Sequence, residues 1–247
     1  MSEYQGFLVF FIGIFAGFIN VMAGGGSALS LPFLIFLGLD GAVANGTNRI
    51  AIFLQNAIAT RTFHQQRAYD FKTELIVPLW VLPGALMGAL TATRVSGQAF
   101  NQVLVVVLAL VVVSMFRPLD SQSKLGVFFK TPWIFKTALF LIGFYGGFIQ
   151  VGVGFLIMSA VFHHFQISLV GVNRKKVLIV LVYTLPALLI FIANDLIDWK
   201  LGLFLALGNA TGAWAAVKLS IKKGDKLVKV VMAAALVIVA AKLLFSP

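Results

Sequence analysis

Long apolar runs separated by short polar stretches recur along all 247 residues of the chain. A helix needs about 20 mostly apolar residues to cross a bilayer. Candidate spans lie at 6–37, 41–64, 73–94, 99–117, 134–162, 173–194, 199–218 and 227–245. The runs lack the period-two alternation of membrane β-barrel strands, and a run such as 103–115 is apolar on every face. We therefore predict an all-α polytopic membrane protein.

Composition supports the same class of protein. Hydrophobic residues make up 60% of the chain and charged residues only 11%, against roughly 45–50% and about 25% in an ordinary soluble domain. Such a chain has too few charges to cover a soluble surface, and it is too apolar to be disordered. The net charge of +11 does not indicate nucleic-acid binding, because the basic residues fall in short loops between apolar runs. The absence of cysteine excludes disulfides and thiol chemistry.

Two of the apolar runs differ from the others. The runs 6–37 and 134–162 are too long for one simple crossing, and glycines interrupt both. Because glycine is unfavourable inside a helix, a glycine cluster at membrane depth predicts a helix break. Broken backbone at that depth is tolerated only where it is buried in protein or lines a wet cavity.

The two broken runs also resemble each other, which indicates an internal repeat. Residues 13–24 align with 143–154 at an offset of 130. Three more pairs follow in the same order: 46–49 with 171–174, 70–72 with 198–200, and 84–94 with 208–218. We therefore divide the single transport domain into a first membrane repeat (1–120), a cytoplasmic linker (121–135) and a second membrane repeat (136–247).

The distribution of charge predicts that the two repeats are inverted. Basic residues on short loops mark the cytoplasmic side. Arg61 and Arg67 follow the second span of the first repeat, whereas the equivalent loop of the second repeat carries Asp195 and Asp198. This exchange is typical of inverted repeats. Each repeat would then be a Gly-broken re-entrant helical hairpin followed by three transmembrane helices.

In this layout both termini lie outside, and 15 of the 19 basic residues fall in cytoplasmic loops at 61–72, 117–136, 163–176 and 217–229. In the alternative layout each long run crosses as one kinked helix. That layout has eight crossings and parallel halves, and it places basic loops on both faces.

Several segments are similar to a known family. Residues 17–27, Gly-Phe-Ile-Asn-Val-Met-Ala-Gly-Gly-Gly-Ser, followed by Pro32, resemble the first signature of the TauE/SafE sulfite-exporter family. Ala-Asn-Gly-Thr-Asn at 44–48 resembles its second signature, and Tyr-Asp-Phe-Lys at 69–72 its loop signature. The match covers nearly the full chain, although in the second repeat Phe155 follows Gly154 and no proline matches Pro32.

The resemblance implies a multi-pass transporter of the bacterial inner membrane. Its expected substrate is a small organosulfur or sulfur oxyanion, such as sulfite or sulfoacetate, and export is the expected direction. The expected partners are therefore this anion and the lipid bilayer, with no nucleic acid, and a homodimer stays open.

The Gly-rich breaks are the leading candidates for an anion site. At a break, unpaired backbone N–H groups and a positive helix end converge, and glycine lets a ligand approach them. This argument selects Gly24, Gly25, Gly26, Ser27, Gly152 and Gly154. The alternative is that small residues merely let helices pack closely, which is our interpretation of Gly84-x3-Gly88 and Gly208-x3-Gly212.

Polar side chains next to the breaks complete the candidate substrate site. They are the amides Asn20, Asn48, Gln150 and Asn173 and the guanidinium groups of Arg49 and Arg174. Amides can donate to an oxyanion, and a planar guanidinium suits its oxygens. The alternatives are interhelical hydrogen bonds for the amides and snorkelling for Arg49. Arg174, which precedes Lys175 and Lys176, can also be a topology signal.

Further polar residues inside apolar spans, including Gln55, Asn56, Tyr183 and Asn209, can simply cap neighbouring backbone. The sequence holds no paired carboxylates, nucleophile or metal-ligand set of the kind used by enzymes, so we expect no catalysis, cofactor or metal. The favoured function is a secondary transporter that works by alternating access, with the anion between the two Gly-rich tips. The alternatives are a passive anion channel and a non-transporting membrane scaffold.

Overall fold

The computed structural model describes residues 3–66, 74–95, 97, 99–106 and 129–245, and helices are the only regular elements within these ranges. They are α1 (Glu3–Ala23), α2 (Ser27–Phe36), α3 (Gly41–Gln66), α4 (Ile76–Ala92), α5 (Pro132–Phe148), α6 (Val153–Phe165), α7 (Leu169–Ala193) and α8 (Trp199–Phe245). Helical backbone also covers 99–106. The prediction of an all-helical protein is confirmed for these residues. The loop signature at 69–72 and most of the proposed linker lie outside them.

Both predicted helix breaks are confirmed. The first run stops at Ala23, Gly24 adopts a positive φ of 88°, and α2 begins at Ser27. In the second run, Gln150 (φ 46°) and Gly152 (φ 69°) separate α5 from α6. A positive φ is accessible to glycine and is strained for Gln150. The long helix α8 is also interrupted, at Gly224, where φ is 64°.

The helix after each break folds back along the helix before it. In the second run, the His164 ring near the end of α6 stacks on Phe135 near the start of α5, with ring centres 3.8 Å apart. In the first run, a Cβ added at Gly26 would lie 2.6 Å from the Cβ of Asn20. A crevice beside α1 is lined by Phe15 of α1 and Phe33 of α2, among others. Each broken run is therefore a helical hairpin.

Glycines let helices of the two repeats approach closely. Gly208 and Gly212 of α8 lie against the backbone of α1, while Gly84 and Gly88 of α4 lie against the backbone of α5. The prediction that these two Gly-x3-Gly motifs are packing faces is confirmed. The arrangement is reciprocal, because the first helix of each repeat packs most extensively against the fourth helical segment of the other.

Polar contacts connect neighbouring helices at both ends of the bundle. At one end, Glu74 accepts hydrogen bonds from Arg174 at 3.0 Å and Lys175 at 2.7 Å. At the other end, the Asp198 N–H donates to Thr47 Oγ1 at 2.9 Å. The Asp198 carboxylate also caps α8 by accepting from the Leu201 N–H at 2.9 Å.

The outer surface carries many large apolar side chains, among them Phe7, Phe11, Leu203 and Leu207. Two of the described helical spans, Tyr4–Ala23 and Leu169–Ala193, are long and apolar enough to cross a membrane. An exposed apolar surface of this kind suits contact with lipid, and these features are consistent with a membrane protein.

Candidate functional site

The two helix breaks meet inside the bundle. Gly24 of the first break lies directly against Gly154 of the second, so that a Cβ on either residue would overlap the backbone of the other. Only glycine permits this approach, and at Gly24 it also permits the positive φ. The two segments that the sequence selected separately therefore form one central site.

A small polar cavity lies beside this crossing. Its polar lining comes from α1, α3, the second break and α7, as Asn20, Gln55, Asn56, Gln150 and Lys176. Ile52, Val153, Gly154 and Val180 complete the wall. About 10 Å³ is open to the centre of a water molecule, which is room for about one water. A larger ligand requires the walls to move apart.

Amide groups link the cavity to four helices. Gln55 Oε1 accepts from Asn20 Nδ2 at 3.3 Å and from Asn209 Nδ2 at 3.1 Å, which joins α1, α3 and α8. Gln150 Nε2 donates to Thr184 Oγ1 at 2.8 Å on α7. Within the described structure, Gln150 Oε1 and Asn209 Oδ1 have no hydrogen-bond partner. Buried amide oxygens that accept no hydrogen bond are uncommon in proteins, and they suit a site that binds a polar ligand.

Lys176 supplies the positive charge of the cavity. Its side chain is only 2% exposed. Its ammonium donates to Val21 O at 2.6 Å, Asn20 O at 2.9 Å and Asn173 Oδ1 at 2.9 Å. Asn173 Nδ2 in turn donates to Met22 O at 3.3 Å. Lys176 and Asn173 thus satisfy carbonyl groups at the C-terminal end of α1, where a helix favours positive charge.

Arg49 plays the matching role at the end of α5. It is fully buried, as expected for an intramembrane arginine. Its guanidinium donates to Gly146 O at 3.3 Å and to Gly147 O, and it lies 4.5 Å from the centre of the Phe191 ring. Asn45 Nδ2 donates to Phe148 O at 2.8 Å. Arg49 therefore binds helix carbonyls and is not among the residues that line the cavity.

The remaining predicted site residues lie around the breaks or away from them. Gly25 packs against the Phe155 ring, Gly26 packs on α1, and Ser27 is buried at the start of α2. Asn48 Oδ1 accepts from Ser30 Oγ at 2.7 Å. Of the predicted set, Asn20, Gln150 and Gly154 line the cavity.

Arg174 lies elsewhere, paired with Glu74 at one end of the bundle. Although the repeat aligns Arg174 with Arg49, it is Lys176 that occupies the position equivalent to Arg49, at the end of a broken helix.

The N-terminal ends of α2 and α6 both lie at the breaks. Gly26 precedes α2 and Gly152 precedes α6, and no side chain caps either helix. The first N–H groups of a helix have no intrahelical acceptor and carry partial positive charge. None of the carboxylates in the described ranges lines the cavity. Its electrostatic character is therefore positive.

Lys176, Gln55 and Asn56 line the cavity but are not among the site residues predicted from the sequence. The predicted cytoplasmic loop 163–176 includes Lys176, and this boundary is wrong because α7 already begins at Leu169. A local signal was available. Ser168 caps α7 by accepting from the Gly171 N–H at 3.1 Å. A helix starting there places Lys176 two turns inside, on the same face as Asn173 and Val180.

Comparison with known proteins agrees with a membrane transporter. The chain is 26% identical to a probable membrane transporter protein, ORF9, of Sinorhizobium sp., over 97% of this chain and 92% of the relative. It is also 26% identical to the probable membrane transporter protein YfcA of Escherichia coli K12, over 96% and 89% of the two chains. A probable membrane transporter protein of Haemophilus influenzae is 26% identical over 90% and 88%.

No solved structure matches the chain. The profile of the family described as sulfite exporter TauE/SafE matches residues 9–243. This range includes both helix breaks and every residue that lines the central cavity. The matched region thus covers nearly the whole chain, including the central cavity, and the chain belongs to the sulfite exporter TauE/SafE family.

Proposed function

We propose that the protein is a secondary transporter that exports a small sulfur oxyanion, such as sulfite or sulfoacetate, across the bacterial inner membrane by alternating access. The observation that carries this proposal is the central cavity, where the Lys176 ammonium is buried among neutral groups at the crossing of two helix breaks. Family membership supports a membrane transporter.

The charge of the cavity favours an anion. The hydrogen-bond partners of the Lys176 ammonium are neutral oxygens and the Met158 sulfur, and none of them carries a negative charge. A buried charge without a counter-ion is expensive, and an anion that enters the cavity provides one. The amide groups of Asn20 and Gln150 can then donate to its oxygens, and charge-assisted hydrogen bonds are the strong ones.

The inverted layout is part of the same proposal. A hairpin that enters and leaves on one face leaves three crossings in each repeat, and an odd number inverts the second repeat. The fold-back of α6 onto α5 and the reciprocal Gly-x3-Gly packing support this layout over parallel halves. Two hairpin tips that meet near the midplane would hold the anion between the repeats.

The size of the cavity supports the proposal of alternating access. Room for about one water does not accommodate sulfite, so binding requires the hairpin tips to separate. We propose that separation toward one face admits the anion and separation toward the other releases it. A secondary transporter of this kind exchanges its substrate across the membrane, whereas a passive channel does not.

Counterflow in proteoliposomes tests the function. Vesicles containing the purified protein and loaded with unlabelled sulfite should transiently accumulate labelled sulfite from outside. Sulfoacetate and thiosulfate should be tested as competitors, with acetate as the carboxylate control. The variant Gln150→Leu should lose most of the counterflow, while Thr211→Val, on the exposed face of α8, should retain it.

Sulfite flux that follows voltage and never accumulates would indicate a channel and contradict the proposal. The absence of sulfite, sulfoacetate and thiosulfate flux from vesicles that contain the folded protein would contradict the substrate class.

A further inference from the structure

The two clamped helix ends differ in chemistry. Arg49 holds α5 with two N–H donors of a planar guanidinium, and the Phe191 ring covers one face of that group. Lys176 holds α1 with a single ammonium at the end of a flexible stem. A guanidinium fixed at two points and stacked on a ring keeps one orientation, whereas an ammonium can exchange acceptors by rotating its stem.

The two clamps also differ in their position relative to the cavity. Lys176 lines it and Arg49 does not. Asn20 connects the cavity to the end of α1 that Lys176 holds. Its side chain lines the cavity, and its carbonyl accepts a hydrogen bond from Lys176 at 2.9 Å. An ion beside Asn20 is therefore within reach of the ammonium without a change in α7.

We propose that Lys176 is an exchangeable clamp, whose ammonium holds the end of α1 when the site is empty and transfers to the anion when the site is filled. This inference rests on the proposed function, since it requires an anion in the cavity. An anionic oxygen is a stronger acceptor for an ammonium than a neutral carbonyl. Binding therefore competes directly with the hydrogen bonds to Asn20 and Val21.

The transfer links occupancy of the site to the α1–α2 hairpin. Asn20 O also accepts from the Gly24 N–H at 2.9 Å, so its partners connect the clamp to the hinge of the hairpin. When Lys176 leaves, the last turn of α1 loses charge-assisted hydrogen bonds, while Asn173 continues to hold Met22 O. The end of α5 stays fixed by Arg49. Substrate thus frees one hairpin and leaves the other in place.

Hydrogen exchange tests this asymmetry in the purified, detergent-solubilised protein. Amides at 20–24 report on the end of α1, and amides at 146–150 report on the end of α5 as an internal control. Sulfite at saturating concentration should speed exchange at 20–24 by about 10- to 100-fold, the loss expected for a charge-assisted hydrogen bond, and leave 146–150 unchanged. The Lys176→Met variant should exchange equally fast at 20–24 without sulfite.

A matched control variant separates this role from a general effect of removing charge. Lys175→Met removes the neighbouring cation, which pairs with Glu74, and should preserve the sulfite response. Lys176→Met should also lose the thermal stabilisation by sulfite, because a ligand stabilises a protein only to the extent that it binds the folded state. If Lys176→Met does not fold, the sulfite response of the unaltered protein decides alone.

Each outcome bears on a defined part of the inference. If sulfite stabilises the protein while exchange at 20–24 stays unchanged or slows, the exchangeable clamp is wrong and the proposed function stands. If Lys176→Met retains full stabilisation by sulfite, the lysine is only a fixed cap and the inference is likewise overturned. If sulfite, sulfoacetate and thiosulfate all fail to stabilise the protein, the proposed function fails and the clamp fails with it.

Discussion

A cation of one repeat binds the carbonyl groups that end a broken helix of the other. Arg49 on α3 holds α5, and Lys176 on α7 holds α1. A buried charge in a membrane protein is by default a candidate for function. The contacts of these two charges differ. Arg49 packs against the α5 backbone and the Phe191 ring, whereas Lys176 lines the cavity.

We predict that Arg49→Lys destabilises the protein without preventing anion binding. A lysine cannot reproduce the paired donation to Gly146 and Gly147, and an unsatisfied buried carbonyl costs about 1–3 kcal/mol. Thermal unfolding in detergent should show a lower midpoint and an unchanged increase on addition of sulfite. A normal midpoint with a lost sulfite response would instead place the guanidinium in contact with the anion.

At the residue level, the sequence predicts the amide side chains that line the cavity but not its lysine. Asn20 and Gln150 could be found because they occupy the same repeat position beside each break, and both line the cavity. Lys176 could not be found from repeat alignment, because the aligned residue Arg174 pairs with Glu74. Arg174 and Lys176 are only two residues apart on α7, about half a helical turn, and yet one cation pairs with Glu74 at the end of the bundle while the other lines the central cavity.

At the scale of helices, glycine fixes how the broken segments cross. Gly24 needs glycine for two reasons, its positive φ and its contact with Gly154. Gly38 shares the first reason only, since its φ is 97° and a Cβ added there would meet nothing within 4 Å. Comparison of Gly24 with Gly38 therefore separates the effect of backbone strain from the effect of the contact with Gly154.

We predict that Gly24→Ala is much more damaging than Gly38→Ala. A left-handed conformation costs a non-glycine residue about 1–2 kcal/mol, which is the loss expected at Gly38. At Gly24 the overlap with the Gly154 backbone adds to this strain, and we expect a loss of about 3 kcal/mol or more. Unfolding midpoints of the two purified variants measure the difference. Equal midpoints would mean that the breaks do not touch in the folded protein.

We also predict that the Gly-x3-Gly face of α4 tolerates no large side chain. Gly88→Leu would drive its side chain into the Phe144 backbone, and overpacking of this kind costs about 1–3 kcal/mol or more. Met87→Leu changes the neighbouring residue on the exposed face of α4 and should be nearly neutral. A Gly88→Leu variant as stable as Met87→Leu would contradict the close packing of α4 on α5.

Helix breaks and packing glycines could be predicted from the sequence because glycine has few other reasons to cluster in an apolar helix. The contact between Gly24 and Gly154 could not, since it joins two segments 130 residues apart through tertiary packing alone. Gln150 shows the same limit, because a glutamine gives no sign of the left-handed conformation that it adopts here.

At the scale of the whole molecule, the layout in the membrane is the property that alternating access requires. The chain has no native cysteine, so single cysteines can report which face each loop occupies. Asp40 and Asn194 are exposed positions at helix ends, and Lys222 is exposed beside the interruption of α8 at Gly224. In inverted halves residues 40 and 194 lie on the same face and 222 lies on the opposite one. In parallel halves residues 40 and 194 lie on opposite faces.

We therefore predict that an impermeant thiol reagent added to whole cells labels Asp40→Cys and Asn194→Cys but not Lys222→Cys. Lysed cells should show labelling of all three variants and so control for reactivity. Labelling of only one of the first two variants from outside would rule out inversion and with it this form of alternating access.

We propose that an oxyanion binds where the two helix breaks cross, and crystallography can locate it directly. Selenite has the charge and shape of sulfite, and its selenium atom can be located by anomalous scattering in crystals of the protein. We predict an anomalous peak beside Gly154, with an oxyanion oxygen within about 4 Å of Lys176 Nζ. A peak confined to the Arg174–Glu74 end, or no peak at a concentration that saturates counterflow, would contradict binding at the crossing of the breaks.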